Sequence, residues 1–188
     1  MFQPILLLLG FWYVLPAYVA NGFAVFAKVC RTRHPIDGNR ILRDGHPLFG
    51  EGKTWEGLLI GFISGTIIGL IQLWASPLLC TIINQYLILP PELIPIVFIS
   101  IPQILLVASG ALIGDLLGSF IKRRLNISRG RPAPFLDQLD FIGTAIIFGI
   151  LVNPLPLLYI VFLLLITPII HFLANIIGYL LGLKEVPW

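Results

Sequence analysis

The sequence predicts an all-α, polytopic integral membrane protein with five spanning helices, and three observations carry that prediction. Hydrophobic residues make up 57% of the 188-residue chain and charged residues only 11%, whereas charged residues approach about a quarter of an ordinary soluble domain. Five apolar stretches are close to or longer than the ~20 residues that a spanning helix needs. All twelve Lys and Arg fall on one side of the resulting five-span arrangement, and the positive-inside rule makes that side cytoplasmic. The N-terminus is then outside and the C-terminus inside. The whole of residues 1–188 reads as one membrane domain, which excludes a soluble enzyme.

The expected elements follow in order. The first span, about 3–27, lacks a basic leader and a small-residue cleavage site, so it is expected to stay in the mature protein. Cytoplasmic loop one, about 28–54, holds Lys28, Arg31, Arg33, Arg40, Arg43 and Lys53. A second span covers about 55–76. An apolar connection over 77–92 carries Pro77, Pro90 and Pro91 and is expected to re-enter the bilayer or lie in its interface. The third span, about 93–121, contains Pro95 and Pro102, where kinks are expected. Loop two, about 122–134, holds Lys122, Arg123, Arg124, Arg129 and Arg131; spans four and five cover about 135–152 and 155–182, with Pro168 in the fifth and Lys184 after it. Cys30 and Cys80 fall on opposite sides of the bilayer in this arrangement and are read as free thiols.

Three constellations carry chemistry. In GDLLGSFIKRR, residues 114–124, Asp115, Ser119 and Lys122 share one helical stripe if the helix continues through residue 124. A carboxylate at membrane depth costs several kcal/mol unless it meets a partner or lines a cavity, about 2.5–3.5 on insertion scales. Gly110, Gly114 and Gly118 recur at four-residue spacing, which permits close helix packing, and a plain packing seam with a polar end is the bland alternative. In FLDQLDF, residues 135–141, Asp137 and Asp140 share a helix face at the membrane boundary. The acids also suit a helix N-terminus, but two like charges on one face favour a cation between them. Hard carboxylate oxygens without nearby His or Cys suit Mg²⁺, which binds through one or two carboxylates and substrate phosphates.

The third constellation is PIDGNRILRDGHPLFGEGKTWEG, residues 35–57, a glycine-rich and basic loop whose backbone could wrap a phosphate. GEGKT is not a Walker A element, because Pro47 stands where that motif requires Gly. Lys53 and Thr54 at a helix start still make an anion site, with simple capping by Thr54 as the alternative. His34, His46 and His171 have no HExxH or Cys cluster beside them, so zinc is not expected. Together, acids at the membrane boundary and basic glycine-rich loops suit phosphoryl or nucleotidyl transfer. A transporter fits poorly, because the halves show no internal repeat.

These residues resemble the CTP-dependent phosphatidate cytidylyltransferases. Gly114, Asp115, Leu116, Ser119, Lys122 and Arg123 match that family's GDLxxSxxKR core, and Asp137 and Asp140 carry its DRxD element with Gln138 in place of Arg. The segment between them, RLNISRGRPAPFL, is shorter and lacks the HGG of bacterial and eukaryotic members. With FGEGKTWEG in loop one, the whole chain looks like the archaeal branch, the CDP-archaeol synthases. The resemblance implies transfer of CMP from CTP to an isoprenoid ether-lipid phosphate, 2,3-di-O-geranylgeranylglyceryl phosphate, with Mg²⁺; ester-linked phosphatidate is the alternative acceptor. It implies Asp115, Asp137 and Asp140 as metal ligands, with Lys122 beside them at the reacting centre. Lys53, Lys122, Arg123 and Arg131 would neutralise the triphosphate. Asn39, Gly50, Gly52, Thr54 and Ser119 would complete the nucleotide site. No nucleic acid partner is expected, and a homodimer is left open.

Overall fold

The structure, a computed structural model, describes residues 7–128 and 131–182. Residues 3–6 of the first expected span, Arg129 and Lys184 lie outside them. Helix α1 (Leu8–Phe23) continues into a 3-10 turn (Ala24–Val29); α2 is Trp55–Tyr86; a 3-10 turn (Pro91–Leu93) leads into the one-turn α3 (Ile94–Val97). Helices α4 (Ile101–Arg124), α5 (Leu136–Gly149) and α6 (Leu157–Leu180) complete the chain. Apart from two isolated antiparallel bridges, the described residues are helical or irregular. Among the described residues, four segments are long and apolar enough to cross a membrane: Leu8–Val29, Trp55–Tyr86, Ile101–Arg124 and Leu157–Leu180.

Two expectations need correction. The connection placed over 77–92 is mostly helix, because α2 runs through Pro77 to Tyr86. On either side of the proline, Ser76 Oγ donates to the Gln72 carbonyl at 2.8 Å and Thr81 Oγ1 to the Pro77 carbonyl at 2.9 Å. The span placed over 93–121 is interrupted between α3 and α4. Ser100 caps α4 through the Gln103 N–H at 3.4 Å, and Pro102 lies in the first turn. There its missing N–H costs nothing, so it starts a helix instead of kinking one.

Small residues set the packing. On α2, Gly57, Gly61, Gly65 and Gly69 form one buried stripe. A methyl on Gly61 would lie 2.6 Å from the Ala20 carbonyl oxygen, and one on Gly65 would lie 2.7 Å from that of Pro16. The α1 backbone therefore sits directly on this stripe, the close approach that small residues allow in membranes. The opposite face of α2 shows Leu59, Ile63, Ile67 and Trp74 outward, as a lipid-facing surface requires. On α4, Gly110, Gly114 and Gly118 receive α5 at Ala145, Thr144 and Asp140. The order of these contacts makes the two helices antiparallel.

These contacts place both polar loops at one end of the bundle. Ala24 meets Gly57 there, and Lys122 meets Asp137. At the far end, Trp12 Nε1 donates to the Val97 carbonyl at 3.1 Å and Tyr13 Oη donates to the Asn153 carbonyl at 2.6 Å. Asn153 Nδ2 also bonds Gln103 Oε1 near the start of α4. The chain therefore passes from the loop end at Asp137 to the far end at Asn153. Helix α5 accounts for only 14 residues of that path, about 21 Å. Tyr13, Val14, Val107, Phe141, Ile142 and Leu163 are among the most fully buried core residues.

Candidate active site

Loop one is ordered by Asp37. Its carboxylate accepts the N–H groups of Asn39 at 3.0 Å, Phe49 at 2.9 Å and Gly50 at 2.9 Å. Gly50 needs the freedom of glycine there, because its φ is +93°. Partial burial works to raise the Asp37 pKa, but the Gly50, Phe49 and Asn39 donors outweigh it and hold the carboxyl below its ordinary value. The Ile36 N–H bonds the Lys53 carbonyl and the Trp55 N–H bonds the His34 carbonyl, which closes the loop at its base. Arg124 ties the loop to the end of α4: its guanidinium pairs with Asp44 at 2.8 Å, donates to the Pro47 carbonyl at 2.5 Å and lies over the Phe120 ring.

The closed loop projects Lys53 inward. Lys53 Nζ donates to Asp115 Oδ2 at 2.5 Å, and Lys122 Nζ donates to Asp137 Oδ1 at 2.6 Å. Asp137, in the first turn of α5, accepts the N–H of Ala133, just ahead of the helix, at Oδ2 at 2.9 Å. Asp140 lies against Gly118 and within Coulombic reach of Asp115, Lys53 and Lys122. These groups share one cavity of about 670 Å³ with Gly52, Thr54 and Arg131. That volume lies inside the range of ~300–1,000 Å³ typical of small-molecule sites. Thr54 also caps α2, its Oγ1 accepting the Gly57 N–H at 3.2 Å, a contact worth ~1 kcal/mol.

Asp115, Lys122, Asp137, Asp140, Gly52, Lys53, Thr54 and Arg131 therefore come together. Asn39, Gly50, Ser119 and Arg123 do not line the cavity. Asn39 is an exposed turn residue with φ +59°. The Gly50 N–H is taken by Asp37, and Ser119 is buried. Arg123 donates to the Ile127 carbonyl at 2.6 Å and stands beside Gly50. The sequence reading missed Asp37 as the organiser of loop one, and it missed the wall that α1 and α6 contribute through Tyr18, Asn21, His171 and Asn175. It also missed the α2 stripe, although a glycine at every fourth position from 57 to 69 was a legible signal.

The metal question turns on donor chemistry. Among the described residues no three His, Cys, Asp or Glu side chains converge as a ready metal cluster. Mg²⁺ does not require one, because one or two carboxylates and substrate phosphates suffice. Two carboxylates here already hold a cation, each a lysine ammonium. The donor set therefore fits a hard divalent ion.

A helical membrane bundle with carboxylates and ammonium groups gathered in a cavity at one end defines an intramembrane enzyme. The comparisons agree with that class and narrow it. A family model described as CarS-like CDP-archaeol synthase matches residues 2–188, and the chain belongs to that family. It is 46% identical to a CDP-archaeol synthase of Pyrococcus horikoshii, over 97% of each chain. It is 42% identical to one of Methanocaldococcus jannaschii, over 97% of this chain and 98% of the relative. It also resembles a solved structure of an intramembrane enzyme for archaeal membrane lipids biosynthesis, with a TM-score of 0.68 and 37% identity over 88% of this chain and 92% of the other.

Proposed function

We propose that this protein transfers the cytidylyl group of CTP to the phosphate of 2,3-di-O-geranylgeranylglyceryl phosphate, giving the CDP-activated ether lipid and pyrophosphate. The observation that carries this reading is the convergence of Asp115, Asp137 and Asp140 with Lys53 and Lys122 in one cavity, in a chain matched over its length to CDP-archaeol synthases. An oxygen of the lipid phosphate attacks the α-phosphorus of CTP. The new O–P bond forms as the bond from the α-phosphorus to the bridging oxygen breaks, and pyrophosphate leaves with that electron pair. A phosphate monoester is already an anion near neutral pH, so no general base is needed. Lys53, Lys122 and Arg131 neutralise the triphosphate and the departing pyrophosphate, electrostatic work that is strongest in a site shielded from water.

Asp115, Asp137 and Asp140 are the residues to hold Mg²⁺. Bound there, the ion supplies charge neutralisation at the phosphates. With the ion on these carboxylates, Lys53 and Lys122 would serve the nucleotide phosphates. Arg123, behind Gly50, steadies loop one, while Gly52 and Thr54 shape the nucleotide side.

We place five passes in the bilayer, α5 and residues 150–153 forming the short one, with the N-terminus outside and the cavity open to the cytoplasm. The basic loops at one end support this orientation, and CTP is a cytoplasmic substrate. The direct test supplies purified protein with labelled CTP, Mg²⁺ and the ether-lipid phosphate. Stoichiometric release of pyrophosphate and labelled lipid is expected; lipid-independent hydrolysis of CTP, or no product, would overturn the reading.

A further inference from the structure

Loop one contains a hairpin that the cavity does not use. The Leu48 N–H bonds the Arg40 carbonyl at 3.0 Å and the Leu42 N–H bonds the His46 carbonyl at 2.9 Å, with Gly45 at φ +80° turning the tip. Ile41 faces Pro47 across it as an isolated antiparallel bridge. Arg40, Ile41 and Arg43 are exposed, Ile41 to 66%, and none of them lines the cavity. Among the described residues neither arginine pairs with an acid, and Asp44, the hairpin's own acid, is held by Arg124. The height of the hairpin gives this exposed basic and apolar tip a use. Arg124 is the last residue of α4, and its grip on Asp44 and the Pro47 carbonyl sets the hairpin level with the last turn of that helix. Ile113, Leu117 and Ile121 stand exposed one turn apart on α4, and Leu125 continues the row. This lipid-suited face ends at the level where the hairpin sits. Trp55, exposed at the first residue of α2, stands at the same end of the bundle, where interfacial aromatics belong.

We propose that the hairpin tip is a membrane-docking surface: Arg40 and Arg43 bind the phosphate groups of anionic lipids in the adjoining leaflet, and Ile41 enters the headgroup boundary between them. The proposal requires α4 to cross the bilayer and does not depend on the reaction carried out in the cavity. Charge and height select the occupant. A guanidinium takes phosphate oxygens through two N–H groups at once, and basic residues beside a bilayer are drawn to its negative surface. An apolar side chain at that depth gains by leaving water. An acidic soluble partner would satisfy the arginines but would leave the α4 row, which runs on into hydrocarbon, without a counterpart. Docking also steadies the approach to the site, because the same loop continues into Phe49 and Gly50, which Asp37 holds, and then Lys53.

The test places the full chain in nanodiscs of a neutral phospholipid, or of the same lipid mixed with an anionic phospholipid, and follows amide hydrogen exchange over residues 40–48. Wild type is expected to exchange more slowly in the anionic discs, by about fivefold for each arginine, the equivalent of about 1 kcal/mol apiece. High salt should remove the difference. The double variant Arg40→Gln, Arg43→Gln is expected to exchange equally fast in both discs, and Ile41→Ser to speed exchange in both. Exchange across α4 serves as the control for folding and should not change. Equal exchange of wild type in the two discs, a slowing that survives high salt or the double substitution, or no effect of Ile41→Ser overturns the proposal. Protection that rises with protein concentration in lipid-free detergent assigns the hairpin to a second copy and overturns it as well. Should a variant fail to fold, the salt titration of wild type still decides the case.

Discussion

Gly114→Ala tests whether the seam between α4 and α5 sets the geometry of the acids. A methyl at this position would lie 2.8 Å from the Asp140 carbonyl carbon and 2.8 Å from Thr144 Oγ1, and nearer still to the Asp140 carbonyl oxygen. Ordinary contact begins at 3.4 Å, so the shortfall is about 0.6 Å at the carbon and more at the oxygen. The obstruction is backbone and cannot swing aside; α5 must move as a body, by on the order of 1 Å, carrying Asp137 and Asp140 with it. Displacement of that size costs on the order of 10²-fold in turnover. Overpacking costs about 1–3 kcal/mol of stability, offset in part by the ~1 kcal/mol helix preference of Ala over Gly. Steady-state CMP transfer in detergent, with a thermal melt alongside, measures both. Gly143→Ala on α5, where nothing lies within 4 Å of an added methyl, is the matched control and is expected to keep wild-type turnover. If Gly114→Ala keeps activity within about twofold of that control, the seam does not position the acids.

Three further outcomes follow from the site. Asp137→Asn leaves Lys122 facing a neutral amide and removes a hard anionic ligand, so nearly all pyrophosphate release should disappear from a folded variant; normal turnover would remove Asp137 from the metal set. Chelation with EDTA should abolish transfer, Mg²⁺ should restore it and Ca²⁺ should not, since near-octahedral phosphate chelation favours the smaller ion. Asp37→Asn reports on loop one. The Asp37 pKa is lowered in the folded protein, so its contribution is present above the unfolded value of about 4 and is lost as pH falls through the folded one. The difference in melting temperature between wild type and Asp37→Asn should therefore be full at pH 6–8 and shrink below about 4; a gap that widens in acid would contradict the assignment.

Much of the site was legible in sequence because charge in an apolar chain is conspicuous. Asp115, Asp137, Asp140, Lys53 and Lys122 stood out against hydrocarbon, and all five reach one cavity. Their pairing was not legible. Asp115 and Lys122 look like partners along one helix, yet Asp115 takes Lys53, 62 residues away, and Lys122 takes Asp137. Asn39 and Gly50 looked suited to ligand contact, but Asp37 uses the N–H groups of both. Pro77 looked like an end of α2, and it is not, because the helix runs through it to Tyr86.

By itself the sequence determined the medium, the helical class and the segregation of basic loops, since hydropathy and charge are properties of segments and do not depend on what those segments meet. Only the tertiary structure decided the partners. Which helix lies on which is set by glycine stripes that bring backbones into contact, and a shift of one turn along such a stripe would pair different side chains. The α6 wall shows this most clearly. His171 in sequence is a lone polar residue in a long apolar run. It joins a site only because α5 lies between α4 and α6 and brings Phe141, next to Asp140, against its ring.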